Sequence, residues 1–178
     1  DCFDVRNASV IEEILVKNST FSEGMRTFFR IDAKGTVGKF TFQNNTLNNV
    51  CAADNSNNQG IFNVRGALDA ANFIVKDNLI LNMVGPKACF TGRYAVTVIP
   101  TMSNNWFYNY GDAFLSTDAN GNQFVTEETL TTGGGVILDE DPCVDSYRGK
   151  LNVTNAQVLE KKVGDPRWFE AYVEIPED

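Results

Sequence analysis

The chain has 178 residues, of which 43% are hydrophobic and 21% are charged, a composition typical of a single folded domain. Its formal net charge of −8 disfavours nucleic acid and anionic membranes as partners, because both are bound by basic surfaces. The sequence contains no histidine, which removes the commonest general base and metal ligand. No apolar stretch is long enough to predict membrane insertion by this segment.

Short strands with a repeated apolar pattern are predicted from the first residues onward. A Phe-x-Val/Ile pattern occurs three times, and a second strand segment begins thirteen residues after each Phe. The paired starting residues are Phe3 and Val16, Phe29 and Phe42, and Phe62 and Val75. A looser fourth copy extends from Phe90 to Phe107, and a partial fifth covers residues 153–158. The equal offsets predict a repeated unit of β-strands. The segment at 9–17 is the one stretch that could start a helix, but its second half fits a strand better.

A short polar residue follows the second strand segment of every copy. The aligned residues are Asn18, Asn44, Asp77, Asn104 and Asn155. Asn and Asp tolerate the left-handed backbone geometry of a sharp bend better than other non-glycine residues. If successive repeats stack about 4.8 Å apart, these side chains bond from one repeat to the next. The spacing therefore predicts an Asn ladder along one edge of the fold.

Stacked units of this size predict an all-β fold, a right-handed parallel β-helix of about four to five rungs that occupies residues 1–178 as a single domain. An interior aromatic column is expected from Phe3, Phe29, Phe62 and either Phe90 or Tyr94. The polar inserts at 48–60 and 116–135 are predicted to be loops that leave one edge. An antiparallel β-sandwich is the alternative fold, but it does not explain the equal offsets.

The four cysteines are widely spaced, which excludes a C-x-x-C zinc or redox motif. They are Cys2, Cys51, Cys89 and Cys143. Either they pair in an oxidising compartment or they are buried thiols that pack as small apolar side chains. The spacing alone leaves both states open.

Arginine recurs at one position of the repeat. Arg6 and Arg65 both lie three residues after the pattern Phe, and Asp32 takes that position in the copy between them. If Phe and Val point inward, these three side chains point outward from one sheet. They form either a cationic groove for an acidic sugar or a surface ladder worth roughly 0–1 kcal/mol per exposed pair. Arg93 is a further candidate cation for such a groove.

An aromatic run in the fourth copy is a second candidate binding surface. Phe107 aligns with the interior positions of earlier copies, so strand alternation sends Trp106, Tyr108 and Tyr110 to the opposite side. A row of exposed Trp and Tyr side chains suits the stacking of sugar rings. The alternative is that residues 111–135 fold over this row and bury it.

No metal or organic cofactor is predicted. The segment DANGN at 118–122 has the Asp-x-Asn spacing of a Ca²⁺ loop, but its Gly is misplaced and no bidentate Glu occupies the twelfth position. A type I′ turn explains this segment better. The acidic run at 139–141 is read as solvated, so Ca²⁺ binding has no support in the sequence.

Two motifs near the end of the chain carry a family resemblance. The first is DPCVD at 141–145, followed by KLNV at 150–153, and the second is GDPRW at 164–168. Together with the repeats they resemble the pectate-lyase-like family of right-handed parallel β-helices, most closely an uncharacterised bacterial group of secreted proteins from polysaccharide loci. Such helices have more rungs than this chain supplies, so we expect it to be the C-terminal part of a longer protein with further N-terminal domains.

The resemblance implies a carbohydrate context and a location outside the cytoplasm, at the cell surface of a Gram-negative, glycan-using bacterium or secreted from it. We therefore expect a non-catalytic β-helix that binds a polysaccharide, with acidic polymers among the candidates, or serves as a scaffold. One alternative is the C-terminal part of a polysaccharide lyase, which would need several carboxylates around Ca²⁺ beside an Arg or Lys base. Another is an adhesin or structural stalk. The GDPRW segment is expected to cap the open end of the helix, with Trp168 over the core.

Overall fold

The computed structural model describes residues 1–52, 60–91, 98–115 and 125–171, and its regular structure is mostly β. The strands are β1 (Phe3–Val5), β2 (Val10–Lys17), β3 (Thr20–Ser22), β4 (Thr27–Ile31), β5 (Thr36–Gln43), β6 (Thr46–Asn48), β7 (Gly60–Val64), β8 (Phe73–Lys76), β9 (Leu79–Met83), β10 (Thr101–Ser103), β11 (Trp106–Tyr110), β12 (Val136–Leu138), β13 (Cys143–Asp145) and β14 (Lys150–Val153). The α-helices are α1 (Glu127–Thr131) and α2 (Ala156–Lys161). Short 3-10 helices cover Ala70–Asn72, Asp112–Phe114, Thr132–Gly134, Ser146–Arg148 and Pro166–Trp168. Within these described ranges, every helix is too short or too polar to cross a membrane.

Three parallel sheets contain most of these strands. Sheet A has the order β1-β4-β7, sheet B the order β2-β5-β8-β10, and sheet C the order β3-β6-β9-β11-β12. Neighbouring strands of each sheet come from successive repeats, so a repeat adds one strand to each of the sheets that it reaches. The parallel pairing contradicts the antiparallel sandwich. The separate antiparallel pair β13-β14 lies outside the repeats.

The strand register confirms the repeat that the spacing predicted. In sheet A, Phe29 pairs with Phe3 on one side and with Phe62 on the other. In sheet B, Phe42 likewise pairs with Val16 and Val75, the residues thirteen positions after those Phe residues. The segment at 9–17 forms β2 over Val10–Lys17, so its second half is a strand as expected and its first half is a strand too. A local apolar pattern was therefore sufficient to align residues of different repeats.

Phenylalanine side chains from strands of all three sheets form much of the buried core. Phe29 and Phe62 are fully buried, and the Phe90 ring centroid lies 5.4 Å from that of Phe62. Phe3 is only partly buried, at one end of the stack, where its ring contacts Phe28 edge-on at 5.5 Å between centroids. Phe90 thus occupies the expected interior position, whereas its alternative at residue 94 falls outside the described residues.

The predicted bends are confirmed, and the predicted ladder is confirmed in part, but the buried ladder lies one residue after the bends. Asn18, Asn44, Asp77 and Asn104 all have positive φ, between 49° and 56°. The buried ladder is formed by the residue that follows each bend. Its members are Asn45, Asn78 and Asn105, with amide-to-amide bonds of 3.2 and 2.8 Å. The predicted ladder is confirmed in one bond, from Asn104 Nδ2 to Asp77 Oδ1 at 2.9 Å. The continuous buried ladder uses the next residue, because a left-handed residue turns the side chain that follows it inward.

Two sequence assignments near the end of the chain are corrected. The partial fifth repeat at 153–158 is wrong, because Asn155 has a φ of −71° and caps helix α2 by accepting bonds from Gln157 and Val158. The GDPRW segment also does not close the end of the stack. It lies across the outer face of sheet C, where Asp165 N–H donates to Thr46 Oγ1 at 3.0 Å and Trp168 Nε1 to Thr20 Oγ1 at 2.6 Å.

The C-terminal segment, defined here as residues 141–171, is held to sheet C by buried polar contacts. Asn48 Nδ2 donates to Ser146 O at 3.0 Å, and Asn82 Nδ2 donates to Ser146 Oγ at 2.9 Å. Asp141 in turn accepts bonds from both N–H and Oγ of Ser146. These contacts satisfy buried amides of the repeats with groups from a non-repeating segment, so the two parts pack as one body.

The predicted loops are only partly described. Residues 53–59 and 116–124, which include DANGN, lie outside the described residues. The second insert is not entirely a loop, because Glu127–Thr131 form α1 behind a capping box at Thr126 and Thr129. All four cysteines are thiols in this structure, and Cys2 is the exposed one among them.

Candidate functional site

The outward positions at the edge of sheet A bring charged side chains of successive repeats together. Val5 pairs with Ile31, and Ile31 with Val64, so the residues that follow them are equivalent. These residues are Arg6, Asp32 and Arg65, as the sequence predicted. Their backbone N–H groups continue the register, since Asp32 donates to Val5 O at 3.0 Å and Arg65 to Ile31 O at 2.8 Å.

The Asp32 carboxylate holds a turn of its own backbone. It accepts bonds from the N–H groups of Lys34 at 3.0 Å, Gly35 at 3.1 Å and Asn7 at 3.4 Å. The bond from Lys34 is the main reason why the pKa of Asp32 is lowered in the folded chain. Asp32 therefore orders the turn beside the two arginines.

Arg6 pairs with carboxylates of its own repeat. Its Nε donates to Asp4 Oδ2 at 2.6 Å, and its Nη2 lies 3.2 Å from Asp1 Oδ2. The bond to Asp4 raises the pKa of Arg6. The expected Arg-Asp-Arg ladder is thus replaced by an Arg6–Asp4 pair, because Asp4 is nearer in the chain and Asp32 is engaged by backbone donors.

A recess with a volume of about 330 Å³ lies along this edge of sheet A. Its lining residues are Asn7, Arg30, Asp32, Ala33, Lys34 and Arg65. Three of these side chains are cationic and one is a carboxylate that is occupied by backbone donors. The recess is therefore locally cationic on a protein whose net charge is −8.

Arg30 is the residue that the sequence reasoning missed. It is the middle residue of the second Phe-x-Val/Ile copy, so strand alternation already directed it outward. Its side chain is only 15% exposed, and Asp4 Oδ1 lies 4.0 Å from its Nε. Within the described ranges, that Nε has no hydrogen-bond acceptor. The middle position looked like an ordinary solvated strand residue, and only the packing of neighbouring repeats buries it.

The surroundings of Arg30 disfavour its positive charge. Burial is the largest effect that lowers its pKa. Repulsion from Arg6, Arg26 and Arg65 lowers it further, while Asp4 acts in the opposite direction. Because an arginine stays charged in water, this guanidinium is a partly desolvated cation with unused hydrogen-bonding capacity.

The aromatic run does not form the solvent-facing row that was expected. Phe107 is fully buried in the interior, as predicted, and Trp106 does lie on the opposite face of β11. However, Trp106 is only 4% exposed, because it packs against residues such as Leu151 and Val158 of the C-terminal segment. Its Nε1 donates to Asn104 Oδ1 at 3.0 Å. Among the described residues, the cover over Trp106 comes from the C-terminal segment.

The two tyrosines of the run lie in different environments. Tyr108 is partly buried beside the same C-terminal cluster as Trp106. Tyr110 packs on the interior core, with its ring centroid 5.2 Å from that of Phe114, and its hydroxyl donates to Glu127 Oε1 at 3.1 Å. Burial, with the Glu127 contact second, raises the pKa of Tyr110 to about 12. The three side chains therefore do not line one surface, although a role of either tyrosine at a site edge stays a prediction.

The remaining candidates contribute little to this geometry. Arg93 lies outside the described residues. In the part of the chain that the structure describes, no group of three or more Cys, Asp and Glu side chains is arranged to hold a metal ion. The cationic recess beside Arg30 is accordingly the best-supported candidate site. Comparison with protein-family models, curated proteins and solved structures found no match for the chain.

Proposed function

We propose that the chain is a right-handed parallel β-helix. Three parallel sheets that each gain strands from successive repeats support this proposal. The left-handed bends at Asn44 and Asp77, which occupy equivalent positions, support it further, because a coil of stacked rungs turns at the same point in every rung. The resemblance to pectate-lyase-like proteins agrees with this architecture, with the chain forming the C-terminal part of a longer protein.

The function that we assign to this helix is non-catalytic binding of an acidic polysaccharide. The observation that carries it is the cationic recess, in which Arg30, Lys34 and Arg65 outnumber the one lining carboxylate, Asp32, whose oxygens accept backbone hydrogen bonds. A sugar carboxylate can accept the hydrogen bonds that a guanidinium offers in its planar fork. Because the Arg30 side chain is only 15% exposed and partly desolvated in the free protein, part of the desolvation cost of that contact is already met.

The proposed location is outside the cytoplasm, at the surface of a Gram-negative bacterium or secreted from it. The support for it is the GDPRW ending and its resemblance to proteins of polysaccharide loci. A polysaccharide presents its acidic groups at intervals along an extended chain, and a shallow recess on a sheet edge is open enough to accept one such unit.

Affinity gel electrophoresis tests the proposal directly. Migration of the wild type is measured in gels that contain polygalacturonate and in gels that contain a neutral glucan. We expect retardation by the acidic polymer alone, and a loss of about tenfold in affinity for Arg30→Ala, the loss expected for one charge-assisted contact.

The matched control is Arg148→Ala, which removes the same charge from an exposed side chain of the C-terminal segment. It should retain the affinity of the wild type. Equal losses in both variants would show that net charge and not the recess governs migration. A wild type that no acidic polysaccharide retards would overturn the proposed function.

A further inference from the structure

Two of the four cysteines lie next to each other in the fold although they are far apart in the chain. Cys51 follows β6, and Cys89 lies between β9 and β10. Their side chains are 0% and 4% exposed, respectively. The two thiols are close enough that ionisation of Cys89 disfavours ionisation of Cys51.

Both sulfur atoms contact the same glycine. Cys51 Sγ donates to Gly60 O at 3.3 Å. Gly60 has a φ of 78°, and a Cβ atom built on it would lie 2.4 Å from Cys89 Sγ. The position therefore accepts no larger residue, and the absence of a side chain at Gly60 is what allows the sulfur of Cys89 to approach this point.

The backbone beside each cysteine packs directly against a neighbouring stretch of chain. Ile61 N–H donates to Cys89 O at 2.9 Å, and a Cβ on Gly85 would lie 2.8 Å from Ala52 Cα. A disulfide spans a Cα separation of about 4.4–6.8 Å, a range that includes the separation of about 4.8 Å between adjacent strands. The contact of both sulfurs with Gly60 is the observation that brings them to one point of the fold.

We propose that Cys51 and Cys89 form a disulfide when the protein folds under oxidising conditions. Glutathione disulfide serves as the oxidant. The Cys51 thiolate attacks one of its sulfurs, which gives a mixed disulfide and releases one glutathione thiolate. The Cys89 thiolate then attacks the sulfur of Cys51 in the mixed disulfide and releases the second glutathione. Two cysteine protons pass to solvent, and the two electrons reduce one glutathione disulfide to two thiols.

The timing of the bond follows from burial. Burial raises the pKa of Cys51 to about 12, and Cys89 adds to the shift, so the folded protein holds little thiolate at this site. Thiol–disulfide exchange needs the thiolate and access to it. The bond therefore forms during folding, before the site closes, and resists reduction afterwards. A protein that folds with reduced thiols is oxidised slowly.

The disulfide would join residues that are 38 positions apart and flank β7, β8 and β9. Closing a loop of this length constrains the unfolded chain strongly. For a domain of this size we expect the oxidised protein to melt about 10 °C above the reduced protein.

The test is refolding of the full chain from denaturant with glutathione disulfide, followed by acid quench, alkylation and peptide mapping without reduction. We expect a loss of about 2 Da in intact mass and a cross-linked peptide pair that contains Cys51 and Cys89. Cys2 and Cys143 should both be alkylated. Addition of the same oxidant to natively folded, reduced protein should give the product at least about tenfold more slowly.

The matched variants are Cys51→Ala, Cys89→Ala and, as the control, Cys143→Ala, which also removes a buried thiol. Only the first two should abolish the mass loss and the gain in melting temperature. If either variant fails to fold, the peptide map of the wild type still shows whether Cys51 and Cys89 are cross-linked. Four alkylated cysteines after oxidative refolding, or a cross-link that includes Cys2 or Cys143, would overturn the proposal.

Discussion

The outer faces of sheets A and C follow the same strand alternation, but among the described residues one is covered by further chain and the other is not. On sheet C, Leu79, Leu81 and Trp106 point outward, and each is at most 4% exposed beneath the C-terminal segment. On sheet A, the paired outward residues include Asp4 and Arg30, and a recess opens beside them. Strand alternation determines which side chains point outward from a sheet. The polarity of those side chains determines whether another segment of the chain packs over them. The apolar face is therefore structural, while the charged face is accessible to a ligand.

The strongest test of this contrast is Trp106→Ala. Because Trp106 is buried between sheet C and the C-terminal segment, we expect a loss of about 3–5 kcal/mol in the free energy of unfolding. Tyr147→Ala, at a residue that is 79% exposed, should change it by less than about 0.5 kcal/mol. Urea denaturation followed by tryptophan fluorescence and circular dichroism measures both. Equally small losses of unfolding free energy in both variants would mean that the C-terminal segment does not stabilise sheet C.

A second test removes a polar contact between the C-terminal segment and sheet C and leaves their apolar contacts in place. Asp165 is 2% exposed, and its carboxylate accepts from Thr20 Oγ1 at 2.8 Å and pairs with Arg167 Nε at 2.7 Å. Asp165→Ala should cost about 2–3 kcal/mol and make the C-terminal segment the first site of limited proteolysis. Asp139→Ala, at an exposed carboxylate, is the control. A variant as protease-resistant as the control would contradict the anchoring role.

The third test addresses the charged face. Arg30 carries a desolvated charge among other cations, so Arg30→Met should leave the free energy of unfolding unchanged or raise it by up to about 1 kcal/mol. The same variant should lose affinity for an acidic polysaccharide. A gain in stability with a loss of binding is characteristic of a functional site. Denaturation and affinity gels on one preparation measure both properties, and a marked destabilisation would make Arg30 a structural residue.

The smallest effect concerns the turn that Asp32 orders. The pKa of Asp32 is lowered in the folded chain, so its contribution to stability is present above the ordinary carboxyl pKa of about 3.9 and is lost as the pH falls through the folded value. Asp32→Asn should therefore melt below the wild type at neutral pH, with a gap that closes below about pH 4. Thermal unfolding by circular dichroism across pH 2–7 measures it. A gap that stays constant with pH would exclude this linkage.

The strands were predictable where the local pattern was periodic. The register of Phe3, Phe29 and Phe62 and the left-handed bends follow from residue types that recur at fixed distances. Such signals depend on each residue and its near neighbours in the chain. The buried ladder was missed by one residue because the bend fixes which side chain turns inward, and spacing alone does not distinguish two consecutive asparagines such as Asn44 and Asn45.

The error at Trp106 had a visible signal in the sequence. The paired strand, Leu79–Met83, reads LILNM and lacks the polar alternation of a strand with one solvated face. Runs of this kind are typical of strands that are covered on both sides. The same absence of alternation in WFYNY argued for a covered face, and the aromatic identity of its residues hid that indication.

The sequence by itself determined the repeat, the alignment of its strands and the position of its bends, because these features recur with local chemistry. Tertiary structure alone decided that residues 141–171 cover sheet C, that Arg30 is crowded by other arginines, and that Cys51 meets Cys89 at Gly60. Each of these contacts joins residues from different repeats or from outside the repeats. The pattern within one repeat does not encode them, since they depend on how strands from distant parts of the chain stack in space.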